Sequence, residues 1–273
     1  MAMVVVSGSF DDLKSRHVRF LHEASKLGEL YLLLWSDRVV RVLEGKEPRF
    51  PQEERSYMLQ ALRYLSRLML VSDLDHPDAL PATPGLNPAV WAVEEKSDSI
   101  RRREVARLRG IEFRVLTQKD LQGFPSDPVH LHDASFSRPK VVATGCYDWL
   151  HSGHVRFFEE ASQLGELYVI IGHDENLRLL KGKRHPMFPQ EERRYMVQAM
   201  RYVHWALVTS GTGWMDAEPE IALIKPDIYA VNEDGDRPEK QAFCEAHGIR
   251  YVVLKRVPKD GLQSRQSTDL RGF

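Results

Sequence analysis

Short runs of apolar, β-branched or aromatic residues recur through the second half of the chain: KVVATG from 140, ELYVIIG from 166, WALVTS from 205, DIYAVN from 227 and RYVVLK from 250. Each has the length and composition of a buried strand. Between them the apolar positions change to a helical period, as in HVRFFEEASQLG (154–165) and PQEERRYMVQAMRYV (189–203). Strands alternating with helices predict a parallel sheet covered on both faces. At about 100° per residue, Met196, Val197, Met200 and Val203 form the apolar face of the second helix, with Arg193 in its middle and Arg201 on its flank. An arginine on a buried stripe must be paired internally or bind an anion.

The same pattern is written twice. GSFDDLKSRHVRFLHEASKLGELYLLL (8–34) and GCYDWLHSGHVRFFEEASQLGELYVII (145–171) are identical at 16 of 27 positions without a gap. The match resumes at FPQEERSYMLQALRY (50–64) over FPQEERRYMVQAMRY (188–202), and at WAVEEKSDSIRRREVARLRGIEFRVL over YAVNEDGDRPEKQAFCEAHGIRYVVL. Two homologous domains, 1–124 and 140–273, are therefore expected, joined by a linker at 125–139 whose Pro and Ser content lacks periodicity.

Ligands of parallel sheets bind beyond the carboxyl ends of the strands, where loops enter helix N-termini. HSGH (151–154) lies there in the second copy. A helix start offers free N–H groups to phosphate. Gly145 permits a turn off the strand and Gly153 a close approach of ligand to backbone. His151 and His154, three apart, share a helix face and are candidate phosphate donors. Three further clusters are candidates for the same cleft: the basic loop around Lys181 and Lys183, the acidic turn holding Asp234, and Ser267–Thr268, predicted to open a helix.

Composition narrows the partners. The chain has 38 basic and 39 acidic residues and 42% hydrophobic content, so nothing marks nucleic acid as a general partner. No apolar run approaches the roughly 20 residues of a membrane span, and the N-terminus does not read as a signal peptide. Cys146 and Cys244 have no metal-ligand spacing. A cytoplasmic location is expected.

GCYDWLHSGH, KGKRHP, Arg193 and QSTDLRG together resemble the cytidylyltransferase-like nucleotidyltransferase family over nearly all of 140–273, and more loosely over 1–124. Within it the tandem ethanolamine-phosphate cytidylyltransferases look most similar, and RLLKGKRHP also resembles heptose-phosphate adenylyltransferase domains. The resemblance implies two tandem Rossmann-like α/β domains forming an intrachain pseudo-dimer, with a further homodimer possible. It implies transfer of a nucleotidyl group from an NTP, CTP first, to a small phosphorylated acceptor, with pyrophosphate leaving and Mg²⁺ accompanying the NTP. An adenylyltransferase using ATP on a sugar phosphate or cofactor precursor is the alternative, and a non-catalytic nucleotide-binding regulator the third reading. On this reading His151, His154 and Lys181 are catalytic. Gly145, Cys146, Tyr147, Gly153, Arg193, Asp234, Ser267 and Thr268 bind nucleotide, and Asp148, Lys183 and Arg201 serve the acceptor. One departure is the longer KRVPKDGLQSRQSTD, where the family has R-T-x-G, with Arg256 or Arg265 as replacement.

In the first copy His151 becomes Lys14, Gly153 becomes Arg16, Lys181 becomes Glu44 and Ser267–Thr268 become Gln118–Lys119. Loss of several transition-state contacts predicts a catalytically silent domain, kept as a scaffold or as a ligand sensor built on Lys14, Arg16 and His17.

Overall fold

The structure, a computed structural model, describes residues 1–83, 85–126, 138–267 and 270. The chain divides into two compact units, Met1–Gly123 and Phe124–Phe273. The expected linker falls largely on residues outside the described set, as does Thr268.

The first unit runs β1 (Met3–Gly8), α1 (Ser15–Ser25), β2 (Glu29–Trp35), α2 (Asp37–Glu44), α3 (Gln52–Gln60), β3 (Arg67–Val71), β4 (Val90–Glu94), α4 (Ile100–Leu108) and β5 (Glu112–Leu116). The second repeats it with β6 (Lys140–Gly145), α5 (Ser152–Leu164), β7 (Glu166–Ile171), α6 (Asp174–Lys181), α7 (Gln190–Gln198), β8 (Trp205–Val208), α8 (Glu218–Ile224), β9 (Ile228–Asn232), α9 (Pro238–His247) and β10 (Arg250–Leu254). Each unit holds one five-stranded, wholly parallel sheet. The orders are β3-β2-β1-β4-β5 and β8-β7-β6-β9-β10, the same Rossmann-like winding twice.

The burial explains the strand composition. Val141, Val142 and Ala143 of β6 are fully buried, and so are the central residues of β7. On one face Val142, Tyr168, Ile170, Tyr229 and Val231 pack with Ile221 and Ile224 of α8. The equivalent cluster of the first unit gathers Val5, Leu33, Trp35, Trp91 and Val93.

The chain reverses its winding between β6 and β9, and these strands pair only through Val141 with Ile228 and Val142 with Tyr229. Beyond Val142 they part, and a crevice opens at the carboxyl edge, the usual ligand position in such sheets. Thr144 Oγ1 and the Tyr229 hydroxyl, 2.7 Å apart, bridge the gap.

One element is shorter than its periodicity predicts. Helix α7 stops at Gln198, because the buried Gln198 carboxamide accepts the Ala206 N–H at 2.8 Å and turns the chain towards β8. Arg201 consequently lies in an exposed turn rather than on a helix flank.

Candidate active site

The loop from β6 to α5 begins with Gly145. A Cβ there would stand 2.8 Å from two ring carbons of Tyr147, so the glycine makes room for an aromatic ring rather than only for a turn. Tyr147 occupies the left-handed region at φ 50°, a conformation that bulky residues adopt only when packing enforces it. Its ring meets His154 edge-on at 5.2 Å and Phe158 at 5.1 Å. Burial pushes its hydroxyl pKa well up, so it stays protonated. Gly145→Ala drives a methyl into this ring. We expect a loss of about 1–3 kcal/mol, read as a lower thermal midpoint; an unchanged midpoint would contradict the packing.

His151 caps α5 with its ring: Nδ1 accepts the Gly153 N–H at 3.1 Å. A neutral imidazole whose Nδ1 accepts carries its proton on Nε2. That Nε2 is buried and has no partner among the described residues. The His154 ring stacks on His151 with centroids 3.9 Å apart. It hydrogen-bonds to the Trp149 carbonyl, and its buried Nδ1 is likewise without a partner. Buried polar atoms almost always find partners. Two orphaned nitrogens on adjacent rings mark a place prepared for something that accepts and donates. Gly153 is needed because a Cβ would approach the His151 ring to 3.0 Å and the Arg265 carbonyl to 3.5 Å.

Both rings are neutral near pH 7. Burial, then the charges of Arg256 and Arg265, lower His151 to about 4. His154 is lowered well below its ordinary value by burial, then by His151, Arg256 and Lys181. In the first unit burial and Arg16 hold His17 at about 4. Between pH 6.5 and 4 the unfolded chain therefore binds more protons than the folded one, and stability falls as pH falls through that window. His151 alone contributes about 2 kcal/mol of loss between pH 7 and 5. Chemical denaturation at the two pH values measures it; equal stabilities would refute the buried neutral rings.

Asp148 sits behind these histidines. Its Oδ1 accepts the Met187 and Phe188 N–H groups at 2.7 and 3.0 Å, and its Oδ2 lies 3.5 Å from His185 Nδ1. Through Oδ1 it clamps the α6–α7 connection to the β6–α5 loop, a positioning role. Asp11 repeats the clamp on Arg49 and Phe50.

Arg193 does not face a ligand. Its guanidinium is 1% exposed and donates to the carbonyls of Phe188, Cys146 and Gly172 and to Asp174 Oδ1, all within 2.7–2.9 Å. The expectation that it binds phosphate is corrected: its anion is internal. Arg55 makes the corresponding set with Phe50, Ser9, Trp35 and Asp37.

The remaining residues divide. Lys181 ends α6, exposed, close enough for its charge to act on His154 and Cys146. Lys183 is exposed in the following loop. Burial pushes the Cys146 thiol up, away from the thiolate a nucleophile needs, and its carbonyl serves Arg193. Arg201 adjoins Tyr202, whose surroundings also hold the charges of Glu159, Lys259 and Arg156. Asp234 is ion-paired to Arg256, which also donates to the Arg265 carbonyl at 3.0 Å. Both replacement arginines thus flank His151. Ser267 lies in a turn, its hydroxyl 3.5 Å from the Trp149 carbonyl.

One contributor had no periodic signal: the 255–265 segment, which lines a hollow of about 20 Å³ with Ser152, Gly153 and Phe157 and whose Lys259 is bound to Glu159 at 2.7 Å. Among the described residues, no helix is long and apolar enough to cross a membrane.

A family model described as cytidylyltransferase-like matches residues 142–256. The FAD synthase of Ferroglobus placidus is 43% identical over 119 residues, covering 42% of this chain and 74% of that protein. That of Methanocella paludicola is 35% identical over 135 residues, covering 48% of this chain and 93% of that protein. Among solved structures, the lipopolysaccharide core biosynthesis protein of Thermoplasma volcanium aligns at 27% identity with a TM-score of 0.38, over 45% of this chain and 98% of its own.

Proposed function

Because the chain belongs to the cytidylyltransferase-like family and is a nucleotidyltransferase, we propose that its second unit transfers the adenylyl group of ATP to a small phosphorylated acceptor, with FMN as the first candidate. The observation that carries this choice is the similarity to archaeal FAD synthases, proteins that make FAD from ATP and FMN. ATP thereby takes the place of CTP as the favoured donor, and a cofactor precursor that of a phosphorylated amine.

The reaction forms one P–O bond and breaks one. An acceptor phosphate oxygen attacks the α-phosphorus, the bond to the bridging oxygen of the β-phosphate breaks, and pyrophosphate leaves with its electron pair. Alignment and charge stabilisation are the protein's tasks. His151 donates its Nε2 proton to a phosphate oxygen, and Nδ1 of His154 accepts a proton as negative charge arrives. Lys181, Arg256 and Arg265 supply counter-charge. No group of three or more His, Cys, Asp or Glu among the described residues is suited to hold a metal. Mg²⁺ would accompany the triphosphate and offset the charge of its oxygens.

Trp214 favours a planar acceptor. It is 73% exposed, on the loop after β8, at the carboxyl edge of the sheet. Hydrogen bonds in both directions between Gly213 and Asn176 of α6 hold that loop. An exposed indole on a fixed loop offers a stacking face to an aromatic ring.

The test measures pyrophosphate release with Mg²⁺ and ATP or CTP, each paired with FMN or phosphoethanolamine. ATP with FMN is expected to yield pyrophosphate and FAD, with ATP preferred over CTP by more than about tenfold. Preference for CTP with phosphoethanolamine would restore the cytidylyl reading. Release from none of the four pairs would remove FMN as acceptor and ATP as its donor.

A further inference from the structure

A cavity of about 570 Å³ opens at the carboxyl edge of the first unit's sheet, within the range of small-molecule sites. Its lining from Gly8 to His17 aligns with the β6–α5 loop of the second unit, and the first copy has no equivalent of the RVPKDGLQSR insertion. A domain retained purely as scaffold has no use for a polar hollow of this size.

The cavity wall carries the cations Lys14, Arg16, Lys46, Arg49, Lys96 and Arg102. Five have carboxylate partners: Lys14 and Arg49 on Asp12, Lys46 on Glu44, Lys96 on Glu94 and Arg102 on Asp78. Arg16, which is exposed, has none within ion-pair distance among the described residues. Its Nε lies 3.3 Å from His17 Nε2. Yet His17 Nδ1 already accepts the Lys14 backbone N–H at 3.1 Å. The neutral ring must then carry its proton on Nε2. The contact brings together two donors with no acceptor between them, an arrangement that an anion's oxygen resolves. The charges of Arg16, Lys96 and Lys14 all act on the same ring. Glu44 and Glu47, lining the same cavity, suit hydroxyl or amine donors elsewhere on the ligand.

We propose that the first unit binds a phosphorylated small molecule, a sugar phosphate or nucleotide, in this cavity, with Arg16 and His17 as phosphate donors and Lys96 as counter-charge. The bound molecule is not transformed, because Lys14, Arg16 and Glu44 stand where the second unit has His151, Gly153 and Lys181. The site goes beyond the adenylyl-transfer reading and does not depend on it.

The test is calorimetric titration of AMP, FMN, glucose 6-phosphate and pyrophosphate into the full chain, into His154→Ala, and into His154→Ala combined with Arg16→Glu or with Lys96→Glu. At least one probe is expected to bind His154→Ala saturably at one site per chain, and to weaken at least tenfold on either charge reversal. Arg16 and Lys96 are both exposed, so the reversals should leave the thermal midpoint in place, and each backs up the other. Absence of binding by all four probes in His154→Ala would overturn the proposal, as would binding indifferent to both reversals. The readout is binding weakened by charge reversals within the first unit, so it is separable from the fate of the adenylyl-transfer reading.

Discussion

Replacing His154 by alanine lowers the turnover of the full chain by about two to three orders of magnitude, the usual cost of removing one preorganised group from a charge-developing centre. The expectation rests on position. The ring is locked between His151, stacked at 3.9 Å, and Tyr147, edge-on at 5.2 Å, and the Trp149 carbonyl holds it by a hydrogen bond. Nδ1 is left to act, and it is buried without a partner among the described residues. The neutral resting state matters as well. A ring held far below its ordinary pKa takes up a proton only when negative charge comes near, so its help is concentrated on the charge-rich transition state rather than on the empty site. Pyrophosphate release by the purified variant measures the loss, with the thermal midpoint as a check on folding. Turnover within tenfold of the unmodified chain, in a variant that melts normally, would sink the assignment.

The sequence made the fold legible because the central strands are buried on both faces and the helices on one, so hydrophobic period and element coincide. The repeat then supplied a check: Lys181 and Glu44, aligned by sequence, are each the last residue of an eight-residue helix. The histidine pair was legible for the same local reason, since a cap and the first turn of a helix are read within four residues. What stayed hidden depends on partners distant in the chain. Periodicity put Arg193 on a buried face but gave no means of choosing its anion, because that choice lies with Asp174 and with carbonyls at 146 and 172. Asp148 could be placed on the loop, but not the two N–H groups 39 and 40 residues further on that occupy its Oδ1. The covering of the histidines by 255–265 was illegible for a different reason, since irregular segments carry no period to read. Gln198 ended α7 early by a side-chain contact that mimics a backbone one, and so moved Arg201 out of reach of any helical-wheel argument.

Arg193→Met should destabilise the chain by about 3–5 kcal/mol, the typical result of removing one member of a buried ion pair, and lower the midpoint of the second unit by roughly 10 °C or more. The methionine fills part of the space, but it leaves Asp174 without its guanidinium and three carbonyls, of Cys146, Gly172 and Phe188, without donors. Those carbonyls belong to the loop after β6, the end of β7 and the entry to α7, which the one side chain ties together. Loosening them also frees the Asp148 clamp, whose amide partners adjoin Phe188. Activity should therefore fall together with stability, and excess nucleotide should recover part of both by binding the folded form. A phosphate-binding role predicts a different pattern: a raised KM for ATP with a melting temperature little changed. Thermal denaturation and KM, measured on the same preparation, separate the two, and a KM effect without loss of stability would return Arg193 to the ligand.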